Sequence, residues 1–275
     1  MAHHRSRFVY LTLMCRSLAL RPGEARLVNA AWALGLFALI LAGWQLAVRA
    51  LQIPDIILPS PTDIAEYLVR RDQLFLKHLW PTLIQTIWGF ALAVVGGVLL
   101  AIVVSLTEFG KRAIMPLLVV AQIVPKIAVA PLFMLWFGIG DLSRVLIAFT
   151  VAFFPMVINT ASGLSSVNQE VVLLGRAFAR SRWEFFLKIQ FPHALPYIFD
   201  GMKVSITLAI IGVIVAEFVS SQRGLGYLIM FGNGRLDTTM MMTAIVVLSA
   251  MGLALYAIIS VMARVFVYWR TPNET

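Results

Sequence analysis

The sequence predicts an all-α, polytopic membrane protein of about six spans. Three observations carry that prediction. Apolar residues make up 60% of the 275-residue chain and charged residues 13%, with a mean hydropathy of +0.89. An ordinary soluble domain carries about 25% charged residues, and a soluble fold of this size has too little interior to hide so much apolar surface. The apolar runs are also long and continuous rather than alternating, which favours helices over a barrel. Finally, the charges cluster at the ends of those runs, where they anchor and orient spans. The net charge of +9 and pI of about 10.2 would suggest nucleic-acid binding in a soluble protein; placed at span ends, they imply no such partner.

Residues 1–26 read as a basic cytoplasmic arm. The apolar stretch Phe8 to Cys15 follows Arg5 and Arg7 as in a signal peptide, but Arg16 and Arg21 interrupt it and no small-residue cleavage site follows. Cys15 is the single cysteine, so no internal disulfide can form. A span needs roughly 20 apolar residues. The predicted spans are Val28 to Ala50, Leu83 to Thr107, Ile114 to Phe137, Val145 to Ser162, Met202 to Phe218 and Met242 to Phe266. Pro125 and Pro131 interrupt the third, and Pro155 lies in the fourth. Residues 268–275 form a tail.

Six spans put both termini on one side. With that side cytoplasmic, 14 of the 22 Lys and Arg residues fall inside and seven outside, with Lys126 within a span. The bias predicts cytoplasmic termini. The outer loop Leu51 to Pro81 holds Leu58-Pro59-Ser60-Pro61-Thr62-Asp63, an extended turn before a helix, with Thr62 or Asp63 as its cap. Ile64, Leu68 and Phe75 suggest an amphipathic helix lying on the membrane.

The longest cytoplasmic loop runs over residues 163–201. Val171, Leu174 and Phe178 make one apolar helical face. Ser181-Arg182-Trp183-Glu184 has capping-box spacing, which predicts two helices with a break near residues 179–181. The second helix runs through Phe185, Phe186 and Ile189 and ends before Pro192, with Glu184 and Lys188 as an i,i+4 pair. A short helix rich in Trp183, Phe185, Phe186 and Phe191 among basic residues fits two roles. It suits lipid headgroups, and it equally suits a partner's cleft.

Lys126 sits about 12 residues into the third span, between two prolines. A cation at that depth should face protein or water. Proline-broken helices line substrate sites in transporters, and the same lysine could instead satisfy carbonyls freed by the break. Glu217, at the outer end of the fifth span, could pair with Arg223 or face an outer gate. Gly224-Leu225-Gly226 reads as a tight outer turn, and His193 as a loop residue.

Ile189-Gln190-Phe191-Pro192, ten residues after Ala179, resembles the cytoplasmic signature of binding-protein-dependent ABC importer permeases. Leu58-Pro59-Ser60-Pro61, Pro131-Leu132, Trp136-Phe137-Gly138-Ile139-Gly140, Phe154-Pro155 with Asn159-Thr160, Ala216-Glu217-Phe218 and Gly224-Leu225-Gly226-Tyr227 are similar to the branch that imports sulfonates, taurine, nitrate and thiamine-precursor pyrimidines. Their order over residues 58–230 makes the resemblance specific. The family glutamate falls on Leu173, its alanines on Leu174 and Gly175, and its glycine on Ala179, where helix ends commonly use glycine. Either Arg180 then takes the left-handed conformation or the first helix runs on.

The resemblance implies a type I ABC importer permease over residues 58–267, preceded by a first span and outer segment over 27–57. It implies an inner-membrane subunit working as a homodimer, with a cytoplasmic ATPase pair and a periplasmic or lipid-anchored substrate-binding protein. The chain itself is then a transport subunit and not an enzyme. It has no Gly-x4-Gly-Lys-Ser/Thr phosphate loop, so ATP and Mg belong on the ATPase and no cofactor or metal on this chain. Arg176, Arg180, Ser181, Arg182, Trp183, Glu184, Phe185, Phe186, Ile189 and Pro192 would couple to the ATPase. From their positions rather than from the resemblance, Lys126 and Glu217 are the candidates for the translocation pathway, where a cation suits an anionic solute, against the structural roles of a carbonyl-satisfying lysine and a Glu217–Arg223 pair. Without the resemblance, the main rival is a secondary transporter or channel working without an ATPase. A membrane-bound enzyme would need clustered His, Asp or Cys, and the chain has four histidines.

Overall fold

The computed structural model describes residues 22–178, 181–220 and 222–269, without the side chains of 22–30, 111, 176–178 and 182. The arm before residue 22 and the tail from residue 270 lie outside the described residues. Two compact units divide the chain, 1–63 and 64–275.

The first unit contains α1 (Pro22–Ala50) and the segment up to Asp63. Gln45 and Arg49 near the end of α1 reach the Thr62 hydroxyl at 3.0 and 3.4 Å. Arg49 also pairs with Asp63 at 3.3 Å. The next helix, α2 (Pro61–Arg70), begins with proline in its first turn, where a missing N–H costs nothing. Its cap is neither Thr62 nor Asp63 alone. The Asp63 N–H meets the Ser60 hydroxyl at 3.4 Å, and Asp63 accepts the Ser60 N–H at 3.1 Å, a reciprocal box.

Within the second unit the remaining helices are α3 (Asp72–Leu106), α4 (Met115–Ile123), α5 (Ala130–Phe137), α6 (Asp141–Ser165), α7 (Gln169–Phe178), α8 (Arg182–Phe185), α9 (Phe191–Ser220), α10 (Leu225–Gly234) and α11 (Thr238–Phe266). Among the described residues five helices are long and apolar enough to cross a membrane, and the count is six if a bent pair forms one span. That pair covers the residues of the predicted third span. The stretches Arg112–Ile123 and Lys126–Phe137 meet at 79°. Pro125 drives Val124 to ψ 128, out of the helical region.

The core is α6 held between α3 and α9. Ala93, Ala148, Ala152, Ala209 and Val213 form one buried cluster there. A Cβ on Gly89 of α3 would come within 2.5 Å of the Ala148 Cβ, and one on Gly212 of α9 within 2.8 Å of the Ala148 Cα. Lipid tails are as apolar as leucine, so helices associate in the bilayer through such close small-residue contacts.

Three expectations are corrected. The apolar face of α2 does not lie on the membrane. Tyr67 and Leu68 pack on a cluster of Phe75, Leu225, Leu228 and Met240, and the Tyr67 hydroxyl donates to Asp237 at 3.0 Å. Burial and that bond push the Tyr67 hydroxyl above its ordinary range. Pro192 does not stop a helix either. A π-turn over Phe186–Gln190 leads straight into α9, with the Phe191 N–H bonding the Phe186 carbonyl. The widened turn removes the i−4 clash that a proline otherwise makes. His193 is therefore a helical residue in the first turn of α9, 3.1 Å from the Ser166 hydroxyl.

Candidate functional site

The loop between α6 and α9 builds a small helical knob. The described part of α7 runs to Phe178 and α8 starts at Arg182; most of the expected break falls on residues 179–180, outside the described residues. Ser181 caps α8 by accepting the Glu184 N–H at 3.1 Å. Glu184 in turn takes the Lys188 ammonium at 2.8 Å. Arg180 and Ala179 lie outside the described residues, as do the side chains of Arg176 and Arg182.

The aromatic residues of the knob divide by face. Trp183 is 58% exposed, whereas Phe185 and Phe186 are 6% and 2% exposed. Phe186 sits among Met156, Leu164, Ala194 and Ile198, and its ring stacks under Trp183 with centroids 5.2 Å apart. Phe185 lies over Gly175 of α7, where an added Cβ would come within 2.4 Å of its ring and 2.9 Å of the Ile189 Cδ1. Phe186 therefore roots the knob on the bundle, while Phe185 and Ile189 pack against α7 within it. Pro192, half-buried at the start of α9, belongs to the same root. The surface offered outward carries Ser181, Trp183, Leu187 and Lys188.

Lys126 opens the 3-10 turn between α4 and α5. Its ammonium donates to the Gln122 carbonyl at 2.8 Å and lies 4.5 Å from the Phe154 ring centroid. This is the arrangement of a lysine that satisfies a carbonyl released by the helix break.

At the far end of α9, Glu217 is 1% exposed. It accepts the Thr82 hydroxyl at 2.8 Å and the Gly226 N–H at 2.7 Å. The Gly224 backbone presses against it at φ +113, and His78 Nδ1 lies 3.2 Å from the Gly224 carbonyl. Glu217 thus staples the turn before α10 to α3. Its expected partner Arg223 instead pairs with Asp141.

Asp141 is the residue that the sequence pattern passed over. Its Oδ1 accepts Gln85 Nε2 at 2.8 Å and Arg144 Nη1 at 3.0 Å, and its Oδ2 meets Arg223 Nη2. Arg144 Nη2 also donates to the Ser220 carbonyl at 3.1 Å. The network ties α3, α6, α9 and the 222–224 turn at the end of the bundle opposite the knob. The Asp141-Arg144 spacing of i,i+3 was the available signal; its other members lie 56 and 82 positions away in the chain.

Comparison with known proteins matches residues 93–270 to the family described as binding-protein-dependent transport system inner membrane component. The chain is 32% identical over 235 residues to the formylaminopyrimidine transport permease ThiX of Halalkalibacterium halodurans, covering 85% of this chain and 94% of that one. It is 34% identical over 233 residues to the riboflavin transport permease RibX of Chloroflexus aurantiacus, covering 84% and 87%. The nitrate import permease NrtB of Leptolyngbya laminosa is 27% identical over 233 residues, covering 84% and 82%. Among solved structures, an inward-facing form of the MetNI methionine ABC transporter matches with a TM-score of 0.62 at 18% identity, over 70% of this chain and 96% of that one. That likeness shows a shared fold.

Proposed function

This chain belongs to the family of binding-protein-dependent transport system inner membrane components, and we propose that its 169–190 knob seats in a cytoplasmic ATPase subunit. One observation carries the reading. A capped helix offers an exposed Trp183 on a buried Phe185–Phe186 root, anchored where α6 and α9 meet. A solvated loop has no need of so rigid a pedestal. A partner cleft uses one, because aromatic anchors held rigidly lose little entropy on binding.

In this reading two copies of the permease stand on an ATPase pair, with both termini cytoplasmic. ATP and its Mg are bound and turned over by the ATPase. The residues assigned to coupling are Ser181, Trp183, Glu184 and Lys188 on the surface, with Arg176, Arg180 and Arg182 beside them in sequence. Phe185, Phe186, Ile189 and Pro192 fix their geometry. A substrate-binding protein outside the membrane delivers the solute. The relatives named for formylaminopyrimidine, riboflavin and nitrate, together with the sulfonate and taurine permeases of the branch, mark the range of small solutes to test.

The test is Trp183→Ala. Trp183 is mostly exposed, so its loss leaves folding nearly unchanged. Co-purification with the ATPase, or transport-dependent ATP hydrolysis, should fall by tenfold or more. A normally folded Trp183→Ala protein that retains full coupling would exclude this surface.

A further inference from the structure

Helix α3 carries two acceptors that lack their donors, near the bundle end opposite the knob. Gln85 is 1% exposed. Its Nε2 donates to Asp141 Oδ1 at 2.8 Å, and its Oε1 has no partner. Turning the amide over would not help, because two acceptors would then face each other. Pro81 lies inside α3 and has no N–H to give, so the Lys77 carbonyl lacks its i+4 donor. A buried acceptor without a donor is costly. Both therefore point to a ligand rich in N–H groups.

Gln85 and Pro81 line a cavity of about 350 Å³ together with Trp80, Ile84 and Trp88. The two tryptophans are 64% and 61% exposed. Spaced by eight residues, they stand about 12 Å apart along the helix axis. Indole faces attract cations, and tryptophans gather where spans meet headgroups. Further along the same helix, every exposed residue up to its end is apolar and bulky: Leu92, Val95, Leu99, Val103 and Leu106. The small residues Gly89, Ala93 and Gly97 are buried instead. Helices in a bilayer meet through small residues, so this ridge of leucine and valine suits acyl chains better than a second copy of the chain.

We propose that the cavity holds the headgroup of an amine-bearing phospholipid, phosphatidylethanolamine. Its ammonium brings N–H donors to Gln85 Oε1 and the Lys77 carbonyl and lies against the indoles, and its chains follow the apolar ridge of α3. A zwitterion adds no net charge beside Asp141, Arg144 and Arg223. Phosphatidylcholine carries the same charges but no N–H, and phosphatidylglycerol carries no cation. The site draws only on α3 and its place in a membrane, and it stands whatever the knob binds.

The test places the full-length chain in phosphatidylcholine nanodiscs and follows its thermal unfolding midpoint as phosphatidylethanolamine or phosphatidylglycerol of the same acyl chains replaces the host lipid. Native mass spectrometry reads which lipid stays bound. Phosphatidylethanolamine should raise the midpoint saturably and remain on the protein, and phosphatidylglycerol should do neither. Gln85→Met removes the orphaned acceptor at similar volume and should weaken the apparent affinity by about tenfold or more, as loss of a hydrogen bond to a charged group does. Trp80→Ala and Trp88→Ala, at exposed positions that leave the fold intact, should each weaken it by about threefold. An equal response to phosphatidylglycerol would overturn the proposal, since the ammonium would then be irrelevant. So would a preference for phosphatidylethanolamine that survives unchanged in Gln85→Met, or in the Trp80→Ala, Trp88→Ala double variant should Gln85→Met fail to fold. Such a preference would be a property of the bilayer and not of this cavity.

Discussion

Gly224→Ala tests whether the turn before α10 is as tightly held as its geometry implies. Gly224 has φ +113 and ψ 167, a region essentially restricted to glycine, where another residue costs about 1–3 kcal/mol. A Cβ there would lie 2.0 Å from Glu217 Oε1 and 2.3 Å from its Cδ. Glu217 cannot step aside easily, because Thr82 and the Gly226 N–H hold its two oxygens. Overpacking of that kind costs about another 1–3 kcal/mol, so the variant should lose about 2–6 kcal/mol in total. Unfolding in mixed micelles titrated with SDS measures the loss. Glu217→Ala in the same background removes the clash but not the backbone strain, so the double-mutant cycle should return about 1–3 kcal/mol of coupling. A loss under about 1 kcal/mol in the single variant, or strict additivity in the cycle, would refute the steric argument.

Phe186→Ala should cost about 3–5 kcal/mol by emptying the pocket made by Met156, Leu164 and Ile198, measured by the same titration; a loss as small as that of Trp183→Ala would place Phe186 on the surface instead. Lys126→Met should leave the solute KM unchanged in reconstituted transport, because the ammonium serves the Gln122 carbonyl; a tenfold higher KM would return Lys126 to the pathway. Asp63 supplies a pH signature. The Ser60 hydroxyl bond, opposed by burial and aided by the Ser60 N–H and Arg49, holds its carboxyl below the ordinary value. A depressed folded-state pKa gives stability that is fully present above the unfolded value of about 4 and lost as pH falls through the folded one. Hydrogen exchange in α2 should therefore accelerate on acidification below about pH 4, and Asp63→Asn should flatten that limb.

Local chemistry was legible in the sequence and tertiary choice was not. Spans follow from hydropathy over contiguous residues, and the Ser181 cap follows from a four-residue spacing. The break at Pro125 was readable too, but not its 79° bend, which depends on what the two halves pack against. Helix α10 escaped notice because glycines at 226, 232 and 234 interrupt its apolar pattern. Phe185 and Phe186 flank Trp183 in composition and differ from it in fate, because one face of a short helix is chosen by its neighbours. Arg223 found Asp141 rather than Glu217 because Glu217 was already satisfied by a hydroxyl and a backbone N–H. No pairwise reading of charges would rank those donors.

The absence of a break at Pro192 has a mechanical consequence. From Arg182 through the π-turn to Ser220 the backbone is helical without interruption, a rod of about 57 Å at 1.5 Å per residue. The knob forms one end. Glu217 and the Ser220 carbonyl, bound to Thr82 and Arg144, lie at the other. A displacement of Trp183 by a closing ATPase would therefore tilt α9 as a lever and load the Asp141–Arg144 network directly. Softening the rod should uncouple the ends without freeing the knob. Val204→Gly with Thr207→Gly alters two exposed positions within α9, away from the coupling surface, and lowers helix propensity at both. The double variant should still bind the ATPase, while transport per ATP falls severalfold. Unchanged transport stoichiometry would mean that motion reaches the outer end by another route, through α6 or α3 packed against it.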